Sequence, residues 1–137
     1  MYLGEAKGLD IKMKRLGDAE IDIMKIIWEA EEPLTSNYIQ KHLQDKRDWK
    51  LPTVMNVLSR LVTKGFVHCD RSTRTNYYSA IINKEDYMRF EEDILLSRLF
   101  GNSASKMVAN LFKEKKLSKN DISAIKKMLD EFDESEG

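Results

Sequence analysis

The chain has 137 residues, 42% hydrophobic and 34% charged, with 23 basic residues balancing 23 acidic ones. That is enough for one domain with an appendage, in the composition of a soluble, helix-rich protein. No apolar run approaches the roughly 18 residues of a membrane span, the first residues lack the apolar stretch of a secretory signal, and the single cysteine excludes an internal disulfide and any multi-cysteine zinc or copper framework.

A cytoplasmic protein without membrane insertion is therefore expected, with Cys69 as a half-buried strand residue. The neutral total hides an asymmetry. Lys46, Arg47, Lys50, Arg60, Lys64, Arg71 and Arg74 stand in one central stretch against Asp48 and Asp70, whereas the chain ends in DEFDESEG. Any phosphate-binding surface belongs to that middle stretch.

Residues 1–15 show no strong period and read as a loose N-terminal extension. A first helix is expected over 18–31, with Ala19, Ile23, Ile26, Ile27 and Ala30 at helical spacing, Gly17 as N-cap and Glu20 as half of a capping box. Trp28 reads as a core anchor, and Pro33 stops the helix. Thr35 or Ser36 caps a short second helix that turns Tyr38, Ile39 and Leu43 inward. The third helix, LPTVMNVLSRLVTKG, has Pro52 in its first turn, an apolar stripe of Val54, Val57, Leu58, Leu61 and Val62, and Gly65 as its left-handed terminator. The period then changes to alternation. FVHCDR, STRT and NYYSAI read as strand, turn and strand. Asn83 caps a long helix reaching Phe100, Gly101-Asn102 breaks it, and two more amphipathic helices follow over 103–113 and from Leu117 to Phe132, ahead of a fraying acidic tail.

The predicted fold is mainly α with a small β-hairpin: a winged helix-turn-helix over 16–82, followed by C-terminal helices over 83–137. A B-DNA major groove admits one α-helix, whose outward face needs short polar side chains near base edges and cations near phosphates. Thr53, Asn56 and Ser59 fit the first need. Lys50, Arg60 and Lys64, with Arg71 and Arg74 at the hairpin tip, fit the second. Each of these residues taken alone reads equally as solvent-facing; the set on this template favours duplex DNA as partner. Catalysis finds no support. His42 and His68 lack ligand partners at a useful spacing, adjacent His68 and Cys69 would face opposite ways on a strand, and there is no glycine-rich phosphate loop. No cofactor and no metal are expected. A protein-interaction winged helix and a ligand-sensing regulator remain as alternatives.

The stretches LGDAEIDIMKIIWE, with Ala19, Glu20, Met24 and Trp28, and TVMNVLSRLVTKGFV, together with Tyr77-Tyr78 and the later EDY of Glu85 to Tyr87, resemble the penicillinase and methicillin-resistance repressor family from Leu16 to about Phe132. The resemblance implies a homodimeric repressor on a palindromic operator, regulating β-lactam resistance genes. Its C-terminal helices would dimerise, here through Met107, Val108, Leu111, Phe112, Leu117, Ile122, Ile125, Met128, Leu129 and Phe132. It further implies inactivation through a membrane sensor-protease system. The family's scissile bond, between an asparagine and a bulky apolar residue, maps onto Asn110-Leu111, with Leu111 where phenylalanine is usual. Gly17 replaces the usual Ser or Thr cap, the wing lacks the usual glycine, and the tail lacks the cysteine cluster of the copper-responsive branch.

Overall fold

The computed structural model describes the backbone of residues 3–6 and 9–136 and the side chains of residues 13–135. Its contacts divide it into two units, Met1–Glu92 and Asp93–Gly137.

The first unit opens with an antiparallel pair, β1 (Leu3–Ala6) and β2 (Leu9–Lys12), in register Leu3↔Lys12 to Ala6↔Leu9. Only a short alternation, Leu9-Asp10-Ile11-Lys12, announces these strands, which lie where a loose extension was expected. Met13 and Leu16, just beyond them, are already buried. Helix α1 (Asp18–Glu29) starts at Gly17, whose N–H donates to Glu20 Oε1 at 2.9 Å, the half capping box expected there. It ends two residues before the expected 31, with Ala30 extended ahead of Pro33. Its buried face is Glu20, Ile23, Met24 and Ile27, while Ile26 is half-exposed. Met24, left out of the expected stripe, is buried in place of Ile26, because at 100° per residue it shares the side of Glu20, Ile23 and Ile27 whereas Ile26 turns away from it.

Thr35 caps α2 (Ser36–Leu43), accepting the Tyr38 N–H at 3.2 Å. Ile39 and Leu43 are buried, but Tyr38 is 44% exposed, stacked on His42 with ring centroids 3.9 Å apart rather than facing inward. The loop to α3 (Leu51–Thr63) is pinned: Arg47 Nε reaches Asp22 at 2.8 Å, the Arg47 guanidinium lies 5.2 Å from the Trp49 ring centroid, and Gln40 donates to the Trp49 carbonyl at 3.0 Å.

Helix α3 ends in a Schellman motif. Gly65, at φ +82°, donates to Val62 O, and Phe66 donates to Leu61 O, both at 3.0 Å. The turn drops Phe66 into the core, fully buried. No atom lies within 4 Å of where a Gly65 Cβ would stand, so a side chain there meets only backbone strain. Gly65→Ala should therefore destabilise the protein by about 1–2 kcal/mol, the price of a left-handed residue with a Cβ. Urea titration should show a lower midpoint at an unchanged m-value.

Strands β3 (Val67–Asp70) and β4 (Tyr77–Ala80) pair antiparallel, Val67 opposite Ala80 and Cys69 opposite Tyr78. Leu34 joins them through two hydrogen bonds with Tyr78, of 2.9 and 2.7 Å. The order helix, helix, helix, hairpin is that of a winged helix-turn-helix. Helix α4 (Lys84–Leu99) is capped by Asn83, whose side chain accepts the Asp86 N–H at 2.8 Å. Its first half completes the core of this unit. Tyr87 lies 5.5 Å from Phe66, 5.8 Å from Phe90 and 6.0 Å from Trp28, centroid to centroid. Trp28, half-buried, donates to the Ile82 carbonyl at 2.9 Å, as suits a core anchor. The Tyr87 hydroxyl accepts the buried Leu16 N–H at 2.8 Å and donates to Glu91 at 2.7 Å. Burial, then Glu91, pushes its ionisation far above the ordinary tyrosine range. Tyr87→Phe should cost about 1–3 kcal/mol, because it orphans that N–H; thermal unfolding checks this.

The second unit contains the rest of α4, then α5 (Ala104–Lys113) and α6 (Lys119–Glu136). Gly101 and Asn102, both at positive φ, break α4. Ser103 caps α5 through the Lys106 N–H. Ser118 and Asp121 cap α6 reciprocally, each accepting the other's N–H at 3.0 Å. Helix α6 runs through the acidic tail expected to fray after Phe132; the Ser135 hydroxyl still bonds the Phe132 carbonyl at 2.9 Å.

Candidate nucleic-acid interface

Helix α3 is divided lengthwise. Val54, Val57, Leu58 and Leu61 are almost wholly buried and lock one face against α1, α2 and β3. Val62, expected in that stripe, is half-exposed, and Lys50, Thr53, Asn56, Ser59 and Arg60 are exposed. The polar positions picked from the sequence thus share the outward side of a rigidly held helix. Met55, which the polar pattern passed over, is exposed as well.

The basic residues do not act as one group. Lys46 and Arg47 both reach Asp22, at 3.4 and 2.8 Å. Lys64, expected beside phosphate, instead holds Glu20 at 2.8 Å across the gap between the end of α3 and the start of α1. Glu20 is 6% exposed, and its other oxygen, Oε2, has no hydrogen-bond partner. Burial pushes the Glu20 carboxyl up, but the Lys64 hydrogen bond, the Gly17 N–H and the charges of Lys64 and Arg60 together pull it below its ordinary 4.5. Among the described residues, no ion pair is formed by Lys50, Arg60, Arg71 or Arg74. Of the seven basic residues in the central stretch, these four are the ones left available to an outside anion.

The hairpin closes without glycine. Asp70 accepts the Ser72 N–H at 2.9 Å and the Thr73 hydroxyl donates to the Thr75 carbonyl at 2.7 Å, a side-chain-built turn that leaves Arg71 and Arg74 exposed. The Ser72 backbone bond, followed by the Ser72 side chain, holds the Asp70 carboxyl below its usual range. Cys69 is half-buried on β3. Across from it, burial and then the Cys69 thiol raise the Tyr78 hydroxyl's ionisation.

The Glu20–Lys64 pair makes a sharp stability prediction. Lys64→Met leaves a buried carboxylate uncompensated and should destabilise the protein by about 3 kcal/mol at pH 7. A carboxylate held below its ordinary value contributes its stabilisation above that value and loses it as pH falls through the depressed one. In the variant the Gly17 N–H and the Arg60 charge remain but the hydrogen bond and charge of Lys64 are gone, so burial weighs more, the carboxyl rises and protonation relieves it. The gap between the two proteins should narrow between pH 7 and pH 4; urea midpoints at the two pH values measure it.

In the second unit no described side chain is buried. Val108, Phe112, Met128, Leu129 and Phe132 are exposed at 37%, 47%, 62%, 59% and 60%, and Met107, Leu111, Leu117, Ile122 and Ile125 are half-exposed. Asn110, exposed, and Leu111 lie in α5. No described helix is long and apolar enough to cross a membrane, and no group of three or more metal-ligating side chains occurs among the described residues.

The chain is similar in sequence to known regulatory proteins over most of its length. The penicillinase repressor of Bacillus licheniformis is 28% identical over 120 residues, spanning 88% of this chain and 93% of that protein. The methicillin resistance regulatory protein MecI of Mammaliicoccus sciuri is 23% identical over 121 residues, spanning 88% and 98%. The solution structure of the DNA-binding domain of the repressor BlaI shares 30% identity, covers 56% of this chain and 93% of that one, and superposes with a TM-score of 0.49. The family model described as penicillinase repressor matches residues 16–131, and the chain belongs to that family.

Proposed function

We propose that this chain is a transcriptional repressor that binds duplex DNA as a homodimer. The observation carrying this reading is the outward side of α3: Thr53, Asn56 and Ser59 exposed on a helix whose opposite face is locked in the core, with Lys50, Arg60, Arg71 and Arg74 outside any ion pair among the described residues. Short polar side chains reach base edges and unpaired cations reach phosphates. Family membership supplies the second support. The exposed apolar side chains of α5 and α6 support dimerisation through residues 83–137, because so many large apolar groups left open on two helices mark an interface. A two-fold dimer then reads a pseudo-palindromic operator, its half-sites one or more helical turns apart.

By analogy with the relatives' names, the targets are β-lactam resistance genes. Inactivation would follow from cutting Asn110-Leu111 under a membrane sensor-protease system. Helix α5 has no side chain buried within the chain itself, so the interface with the second copy is what would hold it closed against a protease. Intact protein persisting in β-lactam-treated cells while its targets switch on would remove that part of the reading.

The core proposal is tested by fluorescence anisotropy on the DNA flanking the chain's own gene, against a scrambled duplex of equal length. Salt-dependent binding that prefers the flanking DNA, at two chains per duplex, is expected. Equal weak binding to both duplexes, or none, would leave a protein-interaction module.

A further inference from the structure

Among the described residues of α3, the outward side chains are Pro52, Thr53, Asn56, Ser59, Arg60 and Thr63, except for one that is large and apolar, Met55, 43% exposed. At 100° per residue, Thr53 and Arg60 share one edge of the outward face and Asn56 lies near its middle. Met55, between Pro52 and Ser59 at i−3 and i+4, forms the other edge. An unbranched thioether reaches farther than Thr, Asn or Ser and adapts to an irregular apolar contact. The major groove presents one apolar group on its floor, the C5-methyl of thymine.

We propose, resting on the DNA-binding reading above, that Met55 is a specificity-determining residue that packs on a thymine methyl in each half-site. The two edges of α3 then do different work, Arg60 toward the phosphate backbone and Met55 toward a base.

The test replaces thymine by deoxyuridine, which removes only the methyl, at each symmetry-related thymine pair of the operator in turn. The wild-type protein should lose about fourfold in affinity per half-site at one such pair, equivalent to about 0.8 kcal/mol for one buried methyl group, and so roughly fifteenfold when both half-sites are changed. Met55→Ala, an exposed substitution whose folding circular dichroism verifies, should bind the thymine operator more weakly and show no further loss with deoxyuridine at that pair. Equal deoxyuridine losses in both proteins at every position, or no loss in either, would overturn the role of Met55 while leaving DNA binding intact. Failure of the wild-type protein to prefer its operator over a scrambled duplex would overturn both.

Discussion

A chain ending at Asn110 should be monomeric, keep its winged-helix fold, and bind the operator roughly 10²–10⁴-fold more weakly than the full chain, the factor that linking two binding events supplies. Every buried side chain among the described residues lies between Met13 and Phe90, so the cut leaves the core of the first unit untouched. What it removes is Leu111, Phe112, Leu117, Ile122, Ile125, Met128, Leu129 and Phe132, none of them buried within the chain itself. Each large apolar side chain covered in a dimer contributes roughly 1.5–3 kcal/mol, so losing several exceeds what holds a modest dimer together. Sedimentation and anisotropy on the same samples read both halves of the expectation. Undiminished operator affinity in the fragment would rule out proteolytic release as the off-switch. Leu129→Asp with Phe132→Asp tests the interface without shortening the chain and should give the same monomer.

How much of this was legible beforehand follows from what each signal depends on. The α3 stripe and its glycine terminator were readable because both are local: period 3.6 sets the buried face, and only glycine takes φ +82° at position 65 without strain. The caps at Gly17, Thr35 and Asn83 were readable for the same reason. Tertiary packing was not. It decided that Met24 rather than Ile26 is buried in α1 and that Tyr38 faces outward against His42. Charge partners were the least visible, because Glu20 and Lys64 are 44 positions apart, and Asp22 and Arg47 are 25 apart. Counting the basic residues of the middle stretch therefore overstated the surface open to phosphate, since Lys46, Arg47 and Lys64 each have an internal carboxylate partner. The β1–β2 pair left only a short alternation, Leu9-Asp10-Ile11-Lys12, in the residue pattern.

That division of the cations leads to the second large effect. Arg71 and Arg74 stand exposed on a turn closed by Asp70 and Thr73, so replacing both arginines by alanine leaves the hairpin's own hydrogen bonds in place. If each arginine meets one phosphate, a dimer loses four contacts, and the slope of log K against log salt should flatten by about 3.6. Over the interval from about 50 to about 200 mM salt, that slope change amounts to about a hundredfold less affinity lost than in the wild type. The weakening should be the same on operator and scrambled duplexes, because phosphates carry no sequence. Asn56→Ala should behave oppositely. It should cost roughly 1–3 kcal/mol on the operator, little on scrambled DNA, and leave the salt slope alone, since a base-edge contact releases no counterion. Lys64→Met provides the internal control: with its charge already paired to Glu20, its removal should lower protein stability far more than it changes the salt slope. Should Asn56→Ala and the double arginine variant weaken both duplexes equally, base reading does not belong to α3; should Lys64→Met flatten the slope as each arginine does, the Glu20 pairing opens when DNA binds.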